Sequence, residues 1–203
     1  MSAILHIAPS RTGHTWIGQM IQSWCPDSEY HNLENFDPAA ATYFSKKDCV
    51  IVLQIRDLLN WYASCLAMRD TLEKIHVEWM NGYKKIIQEF YVPTYLKDHT
   101  VVYVTYDTFF IDQDYRKRVC FELGGIYSEE KLEVIEGYAR SSFSKYSHNG
   151  EAQEMTVLNR YTQVRDNLQA YRSLFKAHPD LLSVYKKNCK DVEKRHFIKC
   201  LKV

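Results

Sequence analysis

Two arginines, each set just behind a short apolar run, carry the most legible chemistry in this 203-residue chain. The first stands in Pro9-Ser10-Arg11-Thr12-Gly13-His14-Thr15-Trp16, which follows residues 3–8 (AILHIA) and leads into a helix-patterned segment, residues 15–24. A strand that feeds a tight glycine-bearing loop and then a helix makes an anion cradle. Free backbone N–H groups and the positive end of the helix converge there. Arg11 and the hydroxyls of Thr12 and Thr15 add donors. The second arginine, Arg56, follows Cys49–Ile55 (CVIVLQI), with Ser64 eight residues on, two turns into the next helix. A guanidinium fork and a hydroxyl so placed can converge on one oxyanion. The alternative is a surface arginine paired with Asp57 and a helix serine facing a neighbour.

The first loop is not a Walker A sequence. G-x-x-x-x-G-K-[ST] sets a lysine before its hydroxyl residue, where this chain has His14 before Thr15. That lysine neutralises the β/γ-phosphates in ordinary ATP or GTP chemistry, so its loss argues against such chemistry.

The elements that must position these residues are read from periodicity. Residues 3–8, Cys49–Ile55 and residues 100–106 (TVVYVTY) are near-continuous in aliphatic and β-branched residues, as strands buried on both faces of a parallel sheet are. Helical spacing predicts helices over residues 15–24, 60–68, 72–91 and 112–123, the last stopped by Gly124-Gly125. Ser128-Glu-Glu-Lys predicts a further helix start, with acid in its first turn. Helices dominate from Thr156 onward, interrupted at His178-Pro179-Asp180. Strand–helix alternation with three strands predicts an α/β sandwich around a small, mainly parallel sheet with a helical C-terminal part. Ligands of such sheets bind beyond the carboxyl ends of the strands, where both arginines stand.

On these residues the sequence resembles the sulfotransferases that use 3′-phosphoadenosine-5′-phosphosulfate (PAPS). Their phosphosulfate loop reads like P-K-[SA]-G-T-T-W or R-S-G-S-[ST], and Arg11-Thr12-Gly13-His14-Thr15-Trp16 follows that register, His14 departing from the usual Ser/Thr. Their 3′-phosphate segment resembles R-[ND]-P-x-x-x-x-x-S; Arg56, Asp57 and Ser64 match it, while Leu58 replaces the proline. Residues 104–109 (VTYDTF) resemble the family's Y-E-D-L segment, and residues 116–125 (RKRVCFELGG) the helix ending in F-L-G.

The resemblance covers residues 3–125 and implies a three-layer, P-loop-kinase-like fold in a single domain. Residues 1–125 would form the nucleotide-binding core and residues 126–203 a mostly helical completion. It implies sulfonate transfer by in-line displacement from PAPS to a hydroxyl, or an amine, of a small-molecule or carbohydrate acceptor, releasing adenosine 3′,5′-bisphosphate without a metal. Arg11, Thr12, Gly13, His14 and Thr15 would bind the phosphosulfate, Arg56 and Ser64 the 3′-phosphate. Trp16 and Tyr106 are implied at the adenine; as residues alone, both read equally as packing aromatics. Arg11 would also stabilise the leaving group. The proton acceptor would be Glu34, 23 residues after Arg11, or in second place His31, 20 after it. Lys145 and His148 before Gly150 read first as a solvated loop; by the resemblance they would instead close over the 3′-phosphate. Residues 37–47 and 156–190 are candidates for the acceptor pocket. A nucleotide-dependent kinase on the same scaffold, and a degenerate module that binds without turnover, remain as alternatives.

The composition agrees with a globular chain: 46% hydrophobic and 25% charged residues, net charge +1. Near-neutrality removes the simple electrostatic case for nucleic acid or an anionic membrane as partner. No stretch approaches the ~20 apolar residues of a membrane span. Six cysteines without C-x-x-C spacing, and no secretory leader, predict reduced thiols, no metal site and a cytoplasmic location. Only seven glycines occur, so few that long helices are expected, with glycine kept where the backbone demands it.

Overall fold

A computed structural model of the chain describes residues 3–46, 48–66, 75–130, 161 and 168–203. Among the described residues four strands form one sheet, all parallel: β1 (Ala3–Ile7), β2 (Glu29–Leu33), β3 (Cys49–Ile55) and β4 (Val101–Thr105), in the order β2-β1-β3-β4. Three of them occupy the apolar runs. The fourth, β2 (EYHNL), lies outside the apolar runs. It is an edge strand exposed along much of its length, so it carries no continuous aliphatic signal.

The helices are α1 (His14–Trp24), α2 (Pro38–Ser45), α3 (Leu58–Leu66), a π-helical turn (Ile75–Trp79) running into α4 (Met80–Tyr91), α5 (Tyr106–Ile111), α6 (Gln113–Glu122), α7 (Leu168–Ala177), α8 (Pro179–Asn188) and α9 (Val192–Cys200). Asp37 and Asp112 accept from backbone N–H groups at the starts of α2 and α6. Gly124, at φ 66°, ends α6 as expected. The helix expected from Ser128 runs into residues 131–160 and so lies outside the described residues; at its start Ser128 Oγ accepts from the Glu130 N–H at 3.3 Å. Glu129 meets the buried guanidinium of Arg116, Oε1 lying 2.6 Å from Nη2. Residues 131–160, including Lys145, His148 and Gly150 of the late loop, lie outside the described residues.

Alternate side chains of each strand divide two cores. Ile4, Val52 and Val104 pack with Ile17, Ile21, Trp24, Phe109 and Val119 of α1, α5 and α6. Leu5, Ile7, Ile51, Leu53 and Ile55 pack with α3, α4 and the C-terminal helices through Trp61, Ile86, Leu174, Leu181 and Phe197. Helices thus cover both faces, and the C-terminal helices share the core of the sheet. No helix among the described residues is long and apolar enough to cross a membrane.

The order β2-β1-β3-β4 also fixes where a ligand fits. The chain leaves β1 toward β2 on one side, then crosses back to β3 on the other, so the strand order reverses between β1 and β3. Such a reversal opens a crevice beyond the carboxyl ends of the two strands. Arg11 and Arg56 follow those two ends.

Candidate functional site

The loop from Ala8 to Gly13 turns its carbonyls inward. Three consecutive carbonyls accept side-chain donors from β3 and α3: Ser10 O from Trp61 Nε1 at 2.8 Å, Arg11 O from Arg56 Nη1 at 3.2 Å, and Thr12 O from Gln54 Nε2 at 2.7 Å. Arg11 and Gly13 sit at φ 69° and 77°, with Thr12 between them at negative φ. Alternating handedness of this kind folds successive peptides into a concave nest. The N–H of Thr12 closes onto Pro9 O, while among the described residues no backbone carbonyl takes the N–H of Arg11, Gly13, His14 or Thr15. The last two belong to the first turn of α1, whose dipole adds partial positive charge. A Cβ at Gly13 would collide with the Tyr106 ring, so only glycine satisfies both its φ and its neighbour.

One expected donor is already engaged. The Thr12 hydroxyl is fully buried and donates to Pro9 O at 2.6 Å, stapling the loop rather than facing a ligand. Thr15 is exposed on the first turn of α1, and Arg11 keeps a buried Nε without a partner.

Behind the loop runs a buried relay that sequence reasoning did not assign. Tyr30 donates its hydroxyl to His6 Nδ1 at 2.6 Å, and His6 Nε2 donates to Gln54 Oε1 at 2.7 Å. Gln54 in turn holds Thr12 O, which fixes its amide orientation and the imidazole tautomer. Burial drives the His6 pKa down to about 3, against a smaller opposing effect of the Gln54 bond, so the ring is neutral at physiological pH. Gly18 of α1 makes room for the relay: a Cβ there would collide with the Tyr30 hydroxyl. A signal was available, since His6 and Gln54 are the polar interruptions in two otherwise apolar strands and lie on one face of the sheet.

Arg56 is 3% exposed and leaves Nε unpartnered, with its guanidinium carbon 4.6 Å from the centre of the Tyr106 ring. Tyr106 in turn meets Trp16 and Phe110, ring centres 6.0 and 6.2 Å away, making an aromatic wall beside Gly13. Tyr106 and Trp16 are therefore nearly buried and adjacent to the loop at once. Tyr83 donates to Arg56 O at 2.7 Å and stacks on Trp61 at 4.2 Å, which carries the Ser10 contact.

Asp57 does not pair with Arg56. It caps α3 through Asn60 N at 3.1 Å, and its other oxygen accepts from Tyr185 at 2.8 Å and lies 3.3 Å from Lys194 Nζ. Asp107, buried, accepts from Asp57 N and Asn60 Nδ2. Burial and then the Asp57 charge raise the Asp107 pKa, with Arg56 opposing. Burial pulls Lys194 down, yet Asp57 and Asp107 outweigh it and the net shift is upward. Ser64 sits in α3, 1% exposed.

The two proton-acceptor candidates separate. Glu34, just past β2, reaches the loop: Ser10 Oγ donates to its Oε2 at 2.6 Å, and His14 Nε2 lies 3.2 Å from its Oε1. His31 stands within β2 opposite Leu5, its ring against Phe44 at 4.4 Å and Nε2 2.9 Å from Glu29 Oε1. The fold therefore gathers Arg11, Thr12, Gly13, His14, Trp16, Glu34, Arg56 and Tyr106 around one loop. The contacts of His31 lie instead on β2 and α2.

No protein-family model matches the chain, and no curated protein matches its sequence.

Proposed function

We propose that the loop and Arg56 bind PAPS and that the protein transfers its sulfonate to a hydroxyl, or an amine, of a small-molecule or carbohydrate acceptor. The observation that carries this reading is the set of donors left over where β1 and β3 end. Free loop N–H groups, Arg11 Nε and Arg56 Nε all lie in that region, so cationic and N–H donors await an anionic ligand there. A doubly phosphorylated adenosine suits that donor set and the adjoining Trp16–Tyr106–Phe110 wall.

In this reading the residues divide the work. The loop N–H groups, Thr15 and Arg11 hold the phosphosulfate, and Arg11 stabilises the charge that grows on the leaving oxygen. Arg56 and Ser64 take the 3′-phosphate. Glu34 takes the acceptor proton as the new S–O bond forms and the bridging S–O bond breaks, the electron pair leaving with adenosine 3′,5′-bisphosphate. Ser10 orients that carboxylate.

The competing kinase reading makes an opposite demand. Calorimetric titration in EDTA decides: adenosine 3′,5′-bisphosphate binds without divalent cation if PAPS is the co-substrate, and tighter binding of Mg²⁺-ATP would overturn the reading. Nucleotide binding without sulfonate transfer to any member of a broad acceptor panel would favour a non-catalytic module.

A further inference from the structure

The residue that departs most from an ordinary anion loop is His14, the first residue of α1. Its side chain is 13% exposed, and its Nδ1 is buried without a hydrogen-bond partner. Its Nε2 lies 3.2 Å from Glu34 Oε1, while Ser10 Oγ holds the other carboxylate oxygen. A carboxylate at that distance selects the tautomer with the proton on Nε2. In the neutral ring, Nδ1 then carries a lone pair inside a loop whose other groups are donors. Lone pair and anionic oxygen repel. A proton on Nδ1 converts the repulsion into a charge-assisted hydrogen bond.

We infer that binding of an anion in this loop takes up one proton on His14 Nδ1, so that His14 becomes a donor of the site only when the site is filled. The inference rests on the proposed function for the identity of the ligand, though not for the proton. Three charged or titratable side chains bear on the ring. Burial holds its pKa below the ordinary value; Glu34, from the segment after β2, opposes this, and Arg11, in the loop, adds to it. His6 of β1, itself held neutral, lies beneath. An incoming anion adds a negative charge that favours the protonated ring. Burial of Arg56, 3% exposed with Nε unpartnered, points independently to an anion at the same place. Once placed, the protonated ring lies between the anion and the Glu34 carboxylate.

The sign of the pH dependence follows. The bound state holds one more proton than the free state, so affinity falls about tenfold per pH unit between the free and bound pKa values of His14. The test is calorimetry on the full chain with adenosine 3′,5′-bisphosphate and, separately, inorganic pyrophosphate. Each is titrated from pH 6.5 to 8.5 in two buffers of different ionisation enthalpy. Wild type is expected to take up about one proton per site where affinity falls with pH; His14→Thr is expected to bind without that proton and with flatter pH dependence. Because the substitution also alters the loop itself, the C2–H resonances of the eight histidines in wild type provide a second readout. One resonance is expected to move to its protonated position on binding. Adenosine 3′,5′-bisphosphate binding with no His14-dependent proton overturns the inference and leaves the function standing. Pyrophosphate binding with the proton, but no binding of the nucleotide, does the reverse. If neither anion binds, both fall.

Discussion

The guanidinium of Arg56 donates to the carbonyl of Arg11 across 45 residues of chain, at 3.2 Å. The cation that closes β3 thus holds the peptide that bears the cation of the first loop, and neither can move alone. This coupling makes the loop a product of two strands.

Replacing Arg56 by methionine removes both the Arg11 carbonyl contact and the unpartnered Nε. A lost charge-assisted hydrogen bond is worth about 1.5–3 kcal/mol, so anion affinity should drop roughly 10- to 100-fold. Arg56→Lys should not restore it, because a point charge cannot reach the carbonyl and the ligand with a planar fork. Calorimetry with adenosine 3′,5′-bisphosphate reads both; full rescue by lysine would contradict the geometry.

Gly18→Ala and Tyr30→Phe should be coupled. The added Cβ collides with the Tyr30 hydroxyl, and overpacking of this kind costs about 1–3 kcal/mol. Tyr30→Phe alone deprives His6 Nδ1 of its donor, costing about 1 kcal/mol. In the double variant the alanine has room and the donor is already gone, so urea unfolding should give a combined loss smaller than the sum. Strict additivity would mean the two side chains do not meet.

His6 gives the fold a defined acid sensitivity. Its folded pKa of about 3 lies below the unfolded 6.5, so the unfolded chain binds the extra proton between those values. The stability it secures is complete above pH 6.5 and declines by about 1.4 kcal/mol per pH unit as pH falls toward 3. Denaturation midpoints at pH 7 and 5 should therefore differ more for wild type than for His6→Asn. Equal slopes would show that the ring is not buried neutral.

Lys194→Met should destabilise the protein by about 3 kcal/mol, since it strands Asp57 beside Asp107 in a buried setting. Adding Asp57→Asn should recover part of the loss. Thermal unfolding checks this, at about 2–4 °C per kcal/mol for a chain of this size. No change in either variant would deny that α9 is tied to the segment after β3.

What the sequence disclosed was what local pattern encodes. β1, β3 and β4 were legible as aliphatic runs, and Arg11, Gly13 and Arg56 because they follow those runs. β2 was not, because an edge strand open to solvent has little reason to be apolar. The Arg116–Glu129 pair was hidden as well, because it joins residues that no periodicity links. Trp61, Tyr83 and Lys194 serve the site only through contacts with residues far along the chain, which spacing does not reveal. Gln54 and His6 lie between these cases: their polarity inside strands marks them, though not their partners. The sparse glycines also gained meaning, since Gly13 and Gly18 are both enforced by a tyrosine above them.

The most direct test of the account is the affinity increment that a 3′-phosphate confers. Wild type should bind adenosine 3′,5′-bisphosphate at least about tenfold more tightly than adenosine 5′-phosphate, one charge-assisted contact's worth, and Arg56→Met should abolish the difference. Equal affinity of wild type for the two nucleotides, or an increment that survives Arg56→Met, would contradict the claim that Arg11 and Arg56 address the two ends of one doubly phosphorylated ligand.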